Sequence, residues 1–509
     1  MDQSVQKWEA MSLRVNASPP TIGLLLLLVG CTVGPDYHAP AAPAVTRITE
    51  NALPSRTVSA ATPGGAAQSL VTGRDIPGEW WALFHSPQIS DLVTRALAAN
   101  PDVAAAQATL REARENLRAE QGSQYPQVTA SASAERQRES LSAVGFGSGS
   151  ETYSVVSASL SVSYTLDAFG GIRRQVEQLG AQADYQRFEL EATDLALVAN
   201  VVNAAITEAS LQAQIETTHD IIRAYDEALE ITRRRFELGG VSQVEVLQQQ
   251  SLRDSEAATL PGLQKQVEQE RNQLAVYLGG LPSQYSRPTL DLDTLTLPHD
   301  LPVSLPSALV GQRPDIQAYA ALLHAATANV GVATANTLPQ ISLTGSYGRD
   351  GSNLSNLFTP AGIVWSVASS LTQPIFDGGT LRARKRAAID AADVAAAQYS
   401  STVNTAFQNV ANALVAIQRD AETLAADVAS QATSAKSLAV AKAQYAAGGG
   451  TYLNVLTAEQ SDQSARLTLV AARAARFTDT VALFQALGGG WWHRNDVASN
   501  IVQSAGVIP

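Results

Sequence analysis

Residues 156–167, VSASLSVSYTLD, alternate without a break: Val156, Ala158, Leu160, Val162, Tyr164 and Leu166 fall on one side, Ser157, Ser159, Ser161, Ser163, Thr165 and Asp167 on the other. Successive side chains of an extended strand point to opposite faces, so these twelve residues form a strand with one apolar and one hydroxyl face. The apolar face needs a cover, either a protein core or lipid.

The chain also repeats itself at half-length, which constrains topology before any local assignment. NPD at Asn100 answers RPD at Arg313, and YPQVTASAS at Tyr125 answers LPQISLTGS at Leu338, both 213 residues apart. FGG ending at Gly171 answers DGG ending at Gly379 with an offset of 208. LGGVSQVEVL from Leu238 answers AGGGTYLNVL from Ala447, and YLGG ending at Gly280 answers ALGG ending at Gly489, with an offset of 209. The five-residue change between the Pro-Gln and Gly-Gly pairs marks a loop of different length. Each half therefore carries two alternating runs: Val128, Ala130, Ala132, Ala134 and the opening stretch in the first, Ile341, Leu343, Gly345, Tyr347 and IVWSVASSLTQP in the second. Each is about ten residues, the length of a tilted membrane-spanning strand.

Long helix follows each strand pair. No proline occurs between Gly171 and Leu238 or between Gly379 and Ala447. In the second of these runs Val403, Phe407, Val410, Leu414, Ile417, Ala421, Leu424 and Val428 step alternately by four and three, a heptad seam. At 1.5 Å per residue such a helix reaches about 100 Å, more than a globular domain needs. Glycine clusters at Gly239-Gly240 and Gly448–Gly450 then turn each chain back into a second helix.

With 509 residues, 45% of them hydrophobic, and a mean hydropathy near zero, −0.03, the chain holds several cores and is too polar for a multi-helix membrane protein. A net charge of −12 and interspersed arginines exclude a nucleic-acid partner, which needs a basic stripe. The only cysteine is Cys31, so neither a disulfide framework nor a thiolate metal site exists. It ends TIGLLLLLVGC, whose apolar run Ile22–Val29 is far shorter than the roughly 20 residues of a spanning helix and reads as a signal-peptide core. Leu28, Val29, Gly30 and Cys31 fit a lipobox, making Cys31 the lipidation site. Thr32, rather than aspartate, follows it, which points to outer-membrane sorting. Initiation at Met1 or at Met11 is left open.

The predicted order is a signal peptide over 1–30, a lipidated proline-rich segment over 31–85, and repeat one over 86–280. Its strands lie near 127–137 and 154–167 and its helices near 171–238 and 241–279. A proline-rich connector spans 281–306. Repeat two spans 307–490, with strands near 340–349 and 362–373 and helices near 379–447 and 451–487, and a tail spans 491–509. The two proline-rich segments read either as solvated linkers or as a packed collar where the halves meet; the collar is favoured.

In hydrocarbon every backbone N–H and C=O must be paired, so spanning strands occur only in closed barrels. The smallest single-chain barrels have about eight strands. Four strands per chain therefore close only with strands from other copies, their apolar rows toward lipid and their hydroxyl rows toward a watery lumen.

GCTVGPDYHAP at the lipidation site, WWALFHSPQISDLVTRALAANPD from Trp80, LPSALVGQRPDIQAYAALLHAATANVGVATANTLPQISLTGSYG from Leu305, PIFDGG from Pro374 and ALGGGWW from Ala486 stand in order along the chain. Together they resemble the outer-membrane efflux lipoproteins of resistance-nodulation-division pumps, relatives of TolC-type channels. The resemblance implies a TolC-like fold: a membrane β-barrel closed by trimerisation, four strands per chain, continued by a long α-helical barrel. It further implies a homotrimer in the cell outer membrane that meets a periplasmic adaptor and an inner-membrane transporter and passively exports small molecules, without enzymatic activity or cofactor.

Gly239, Gly240, Gly448 and Gly449 resemble the family's adaptor-contacting periplasmic tips. Leu453 matches a hydrophobic gate position, while a position often acidic in relatives is Thr457, answered in the first half by Gln248. Glu459 or Asp462 then becomes the candidate for residual negative charge at the pore; an ordinary place for these residues in a coiled-coil seam or on a surface is the alternative. The six histidines have no i, i+3 or i, i+4 pair, and the glycine clusters lack the Lys-Ser/Thr of a phosphate loop. A periplasmic adaptor would carry one hairpin in a compact β-domain, and a structural coiled-coil lipoprotein would have no alternating strands.

Overall fold

The computed structural model describes residues 32–45, 47–52, 54–140, 148–285 and 290–494. Cys31 and the preceding leader lie outside the described residues. Two compact units result, each assembled from both halves of the sequence: Met1–His38, Arg114–Ala181 and His324–Val394 form one, Ala39–Ala113, Gln182–Leu323 and Ala395–Pro509 the other.

The first unit holds a four-stranded antiparallel sheet in the order β2 (Gln127–Ser140), β3 (Ser150–Leu166), β5 (Gln340–Gly351), β6 (Ile363–Thr372). Its register joins like rows. Ser131 and Ser133 oppose Ser159 and Ser157, Ser161 opposes Ser346, and Ser342 and Ser346 oppose Ser370 and Ser366. The hydroxyls bond across the strands, at 2.9 Å for Ser131–Ser159, 2.7 Å for Ser133–Ser157, 2.7 Å for Ser342–Ser370 and 2.8 Å for Ser346–Ser366. The other face gathers Val128, Leu160, Val162, Leu343, Tyr347, Trp365, Val367 and Leu371, all exposed. Neither face of β2 or of β6 is covered, since every residue of both strands is exposed.

Each sheet half runs into a helix of 67 residues, α3 (Gly171–Glu237) and α8 (Thr380–Ala446). An aspartate caps each start by a different route. Asp167 accepts the amides of Ile172 and Arg173, both at 3.0 Å; Asp377 accepts those of Gly379 at 2.8 Å and Leu381 at 2.7 Å. The amides of Leu381 and Gly379 hold the Asp377 carboxyl below its ordinary range. Carboxylates belong here because the helix start leaves amide donors unpaired.

Residues 32–38 are strapped to the start of α3. The Val33 amide donates to the Phe169 carbonyl at 3.1 Å, and the buried Arg174 donates to the Val33 carbonyl at 3.2 Å. Arg174 also pairs with Asp36 at 2.6 Å and Glu177 at 2.7 Å. Glu177 contacts His324 at 2.9 Å, on whose ring Tyr37 stacks at 4.3 Å. Gly34 has a left-handed φ of 96°, and a Cβ there would lie 2.4 Å from the Gly331 Cα. The strap approaches α7 (Pro314–Ala335) that closely only because both residues are glycines.

In the second unit the two proline-rich segments are packed. β1 (Ser69–Thr72) pairs in parallel with β4 (Asp300–Val303). The Gln68 amide donates to the Pro298 carbonyl and to Thr480 Oγ1, both at 3.1 Å, while its oxygen accepts from the buried Arg476 at 2.8 Å. Ile76, Trp80, Phe84, Leu292 and Leu301 join Val410, Leu414, Ile417, Phe477, Val481 and Phe484 in one core. Trp80 stacks on Phe484 with centroids 5.3 Å apart.

The halves differ in their returning helices. In half two α9 (Tyr452–Ala486) is unbroken, whereas in half one the single helix expected over 241–279 is two, α4 (Gln243–Ala257) and α5 (Leu260–Tyr277). Pro261 is the cause: lacking an N–H, it cannot bond the carbonyl of Ala257, and the helix restarts with proline in its first turn. At the matching place in half two stands Val470. Just before the break lies Glu256, 2% exposed, with one carboxylate oxygen buried and without a hydrogen bond.

Burial raises the Glu256 pKa. A folded chain that holds this proton after the unfolded chain has released it loses stability as pH rises from the ordinary glutamate range through the raised value. The Glu256→Gln variant is therefore expected to melt a few degrees above the parent at pH 7.5 and level with it at pH 4, as followed by circular dichroism in detergent; an equal offset at both pH values contradicts this.

Candidate functional site

The site is built at the glycine turns of the second unit. α3 ends with Gly239 at φ 73° and α8 with Gly448 at φ 76°. The amides of Gly239 and Gly240 return to the carbonyls of Phe236 at 2.9 Å and Arg235 at 2.7 Å, and those of Gly448 and Gly449 to Tyr445 at 3.1 Å and Gln444 at 2.9 Å. Both turns thus satisfy helix-terminal carbonyls with a left-handed glycine. Ser242 and Thr451 then cap α4 and α9 by accepting the amides of Glu245 and Asn454, both at 3.4 Å. Gly239 and Gly448 have no neighbour that a Cβ would meet, so only backbone conformation requires glycine there.

Side chains tie the two hairpins together. The Tyr445 hydroxyl donates to Glu245 and the Tyr452 hydroxyl to the buried Gln249. Tyr225 donates to Gln463 at 3.1 Å. Burial, then the neighbouring carboxylates Glu459, Glu256 and Asp462, raise the Tyr225 pKa, so these phenols remain donors at every physiological pH. Tyr452, Val455 and Leu456 form an apolar cluster against Leu252, Ala441 and Tyr445.

The exposed side of α9 is different. Leu453, 63% exposed, is followed by exposed Thr457, Gln460, Ser461, Ser464 and Thr468. At about 100° per residue these six share one narrow stripe. Thr457 and Ser461 turn their hydroxyls back to the carbonyls of Leu453 and Thr457, at 3.0 and 2.9 Å, leaving a smooth surface. The stripe borders an open groove of about 510 Å³, whose opposite wall carries Asp427, Ser430 and Ser434 of α8.

Glu459 and Asp462 do not belong to this stripe, contrary to the sequence expectation of charge beside Leu453. Each is 4% exposed, Glu459 paired to Lys442 at 3.1 Å and Asp462 to Arg466 at 2.8 Å. Six and nine residues beyond Leu453, they fall roughly 120° and 180° around the helix from it, inside the hairpin. Gln248 is exposed on α4. The carboxylate that lines the groove is Asp427, which sequence reading passed over because it sits one residue before the seam position Val428; one of its oxygens is buried without a partner. Cys31, the expected lipidation site, lies outside the described residues.

Comparison with known proteins places this architecture. The outer membrane efflux protein family model matches residues 92–280 and 305–489, the two repeats. The chain is 33% identical to the antibiotic efflux pump outer membrane protein ArpC of Pseudomonas putida, over 93% of this chain and 95% of that one. It is 28% identical to the cation efflux system protein CusC of Escherichia coli O6:H1, over 92% and 97%. Among solved structures, the outer-membrane channel OprN superposes with a TM-score of 0.81 at 29% identity, covering 91% of this chain and all of that one. CusC superposes at 0.78 and 26%, covering 90% and all. The fold is that of TolC-type channels, and with both repeats matched end to end the chain belongs to the outer membrane efflux protein family.

Proposed function

We propose that three copies of the chain close a twelve-stranded barrel in the outer membrane, continued by a helical tunnel, and passively export small molecules delivered by a periplasmic adaptor and an inner-membrane transporter. One observation carries the oligomer: among the described residues β2 and β6 each have a single neighbour. Unpaired strand edges cannot be left in hydrocarbon, and four is an even number, so β6 of one copy meets β2 of the next antiparallel. Strand count alone admits two, three or four copies; the likeness to TolC-type channels supports three.

The hydroxyl rows then line the lumen and the apolar rows meet lipid. Leu453 forms the steric gate on the smooth face of α9, with Thr457 and, on the first hairpin, Gln248 as neutral neighbours. Gly239, Gly240, Gly448 and Gly449 present the tips to the adaptor. Glu459, paired with Lys442 of α8, ties the hairpin from within, while Asp462 pairs with Arg466 on α9 itself. Cys31 carries the lipid anchor; the residue that follows it, Thr32, packs against Gly170 at the junction of β3 and α3.

Organic cargo is favoured over soft metal ions. One relative is named for antibiotic efflux, another at 33% identity for toluene efflux, and CusC for cations. The two methionines of this chain, Met1 and Met11, both precede Cys31, its one cysteine. A mature lumen without thioether or thiol has no ligand of the type that selects soft cations.

Leu453→Ala is expected to raise single-channel conductance in planar bilayers severalfold; an unchanged conductance removes Leu453 from the gate. The detergent-solubilised protein is expected to have the native mass of three chains, and a mass of two or four overturns the twelve-stranded closure. Labelled palmitate should enter the parent protein and not the Cys31→Ser variant.

A further inference from the structure

Strand register sorts every charge of the sheet by sign. The face that carries Val128, Leu160, Leu343 and Trp365 continues on β2, beyond Ala134, into Arg136 and Arg138, opposite Ser154 and Thr152 of β3, and on β5, beyond Tyr347, into Arg349, opposite Ala158 of β3 and Ile363 of β6. The hydroxyl face continues into Glu135, Glu139, Glu151 and Asp350. These seven are all the Lys, Arg, Asp and Glu residues of the four strands. In β2 the sequence Glu135-Arg136-Gln137-Arg138-Glu139 places neighbouring opposite charges on opposite sides, so none of the three arginines is ion-paired among the described residues. Arg138 donates to Ser150 Oγ at 2.7 Å and Arg349 to the Thr359 carbonyl at 3.4 Å. Arg136 meets no polar partner among the described residues and is exposed.

The arginine end is the end away from the helices. α2 (Pro101–Gly122), α3, α7 and α8 all join the opposite strand ends, so in a barrel whose helices reach into the periplasm the arginines stand at the external leaflet. Cations on the lipid face are costly at the bilayer midplane and nearly free of cost at the interface. There a long side chain follows the apolar surface while its guanidinium reaches the headgroups, and its planar fork matches a phosphate in two hydrogen bonds.

We infer that Arg136, Arg138 and Arg349 form a binding site for the phosphate groups of phosphorylated lipid in the external leaflet. The site presupposes the membrane-spanning barrel proposed for the trimer.

The test uses the purified full-length protein in uncharged detergent, titrated with bis-phosphorylated lipid A, with dephosphorylated lipid A and with inorganic phosphate, bound lipid being counted by native mass spectrometry. The parent is expected to bind the phosphorylated form at least tenfold more tightly than the dephosphorylated one. A tenfold excess of inorganic phosphate should not displace it. Arg136→Gln alone should weaken binding about fivefold, the effect of one basic residue at a charged lipid surface. The triple variant R136Q/R138Q/R349Q should lose the preference, and the lumen-side variant E135Q/E139Q should keep it. The site is overturned by lipid preference that survives in the triple variant or in R136Q at full strength, by a parent that does not distinguish the two lipids, or by displacement with inorganic phosphate. Conductance is recorded on the same preparations: channels without lipid discrimination sink the arginine site alone, whereas absence of channels from the parent sinks the barrel on which it rests.

Discussion

The backbone of a strand in hydrocarbon cannot be left half-paired, and the rest of this molecule is organised around that. Four strands share three ladders, leaving one edge of β2 and one of β6 bare among the described residues. Both strands are also exposed on both faces. A strand so placed in a soluble protein invites aggregation. Here the edges, the apolar rows and the inward hydroxyl rows are mutually consistent only in a closed wall. The Ser–Ser pairs add to this: a hydroxyl bonded across the strand to its twin keeps a polar face without placing a charge or a bulky group in the lumen.

Repetition supplies the four strands, but the halves are not copies in detail. Both 67-residue helices begin under an aspartate, yet Asp167 reaches amides five and six residues ahead while Asp377 reaches those two and four ahead. The electrostatic requirement of a helix start is preserved while the residue that meets it has moved. The same holds at the returning helices, where Pro261 divides one and Val470 leaves the other whole. Duplication sets the order of elements, and each half then settles its own terminations.

Much of this was legible because the physics has short periods. Two-residue alternation marked the strands, the four-three stepping of Val403 to Val428 marked the seam, and the Gly-Gly pairs marked the turns. Legibility failed where the answer depends on which neighbour lies across a helix. Glu459 and Asp462 are close to Leu453 in sequence, but rotation about the helix axis carries them to the interior, where Lys442 and Arg466 meet them. Lys442 lies on α8, so no local pattern announces the pair. The strap built on Arg174 was invisible for the same reason: besides its i,i+3 neighbour Glu177, Arg174 meets Asp36 and Val33, which only the fold brings to it. The break at Pro261 was a different miss, since the proline stood in plain view inside the expected helix.

Sorting of charge along the sheet follows from the same two-residue period that defines the faces. A strand passing from lipid into the headgroup region must change from apolar to polar on its outer side, and with side chains alternating it can do so independently on each face. In β2 the outer row goes from Ala134 to Arg136 while the inner row goes from Ser133 to Glu135. In the proposed barrel the carboxylates thereby gather at the lumen mouth and the guanidiniums at the rim. Mixed signs on one face would have neutralised each other in local ion pairs of little worth at an exposed surface. Segregated, the outer face keeps its positive charge for a partner outside the chain, and the inner face presents negative charge where solute leaves the duct. The groove along α9 takes its carboxylate differently, from Asp427 on the facing helix α8, so there the negative charge stands across from a neutral hydroxyl stripe and not within it.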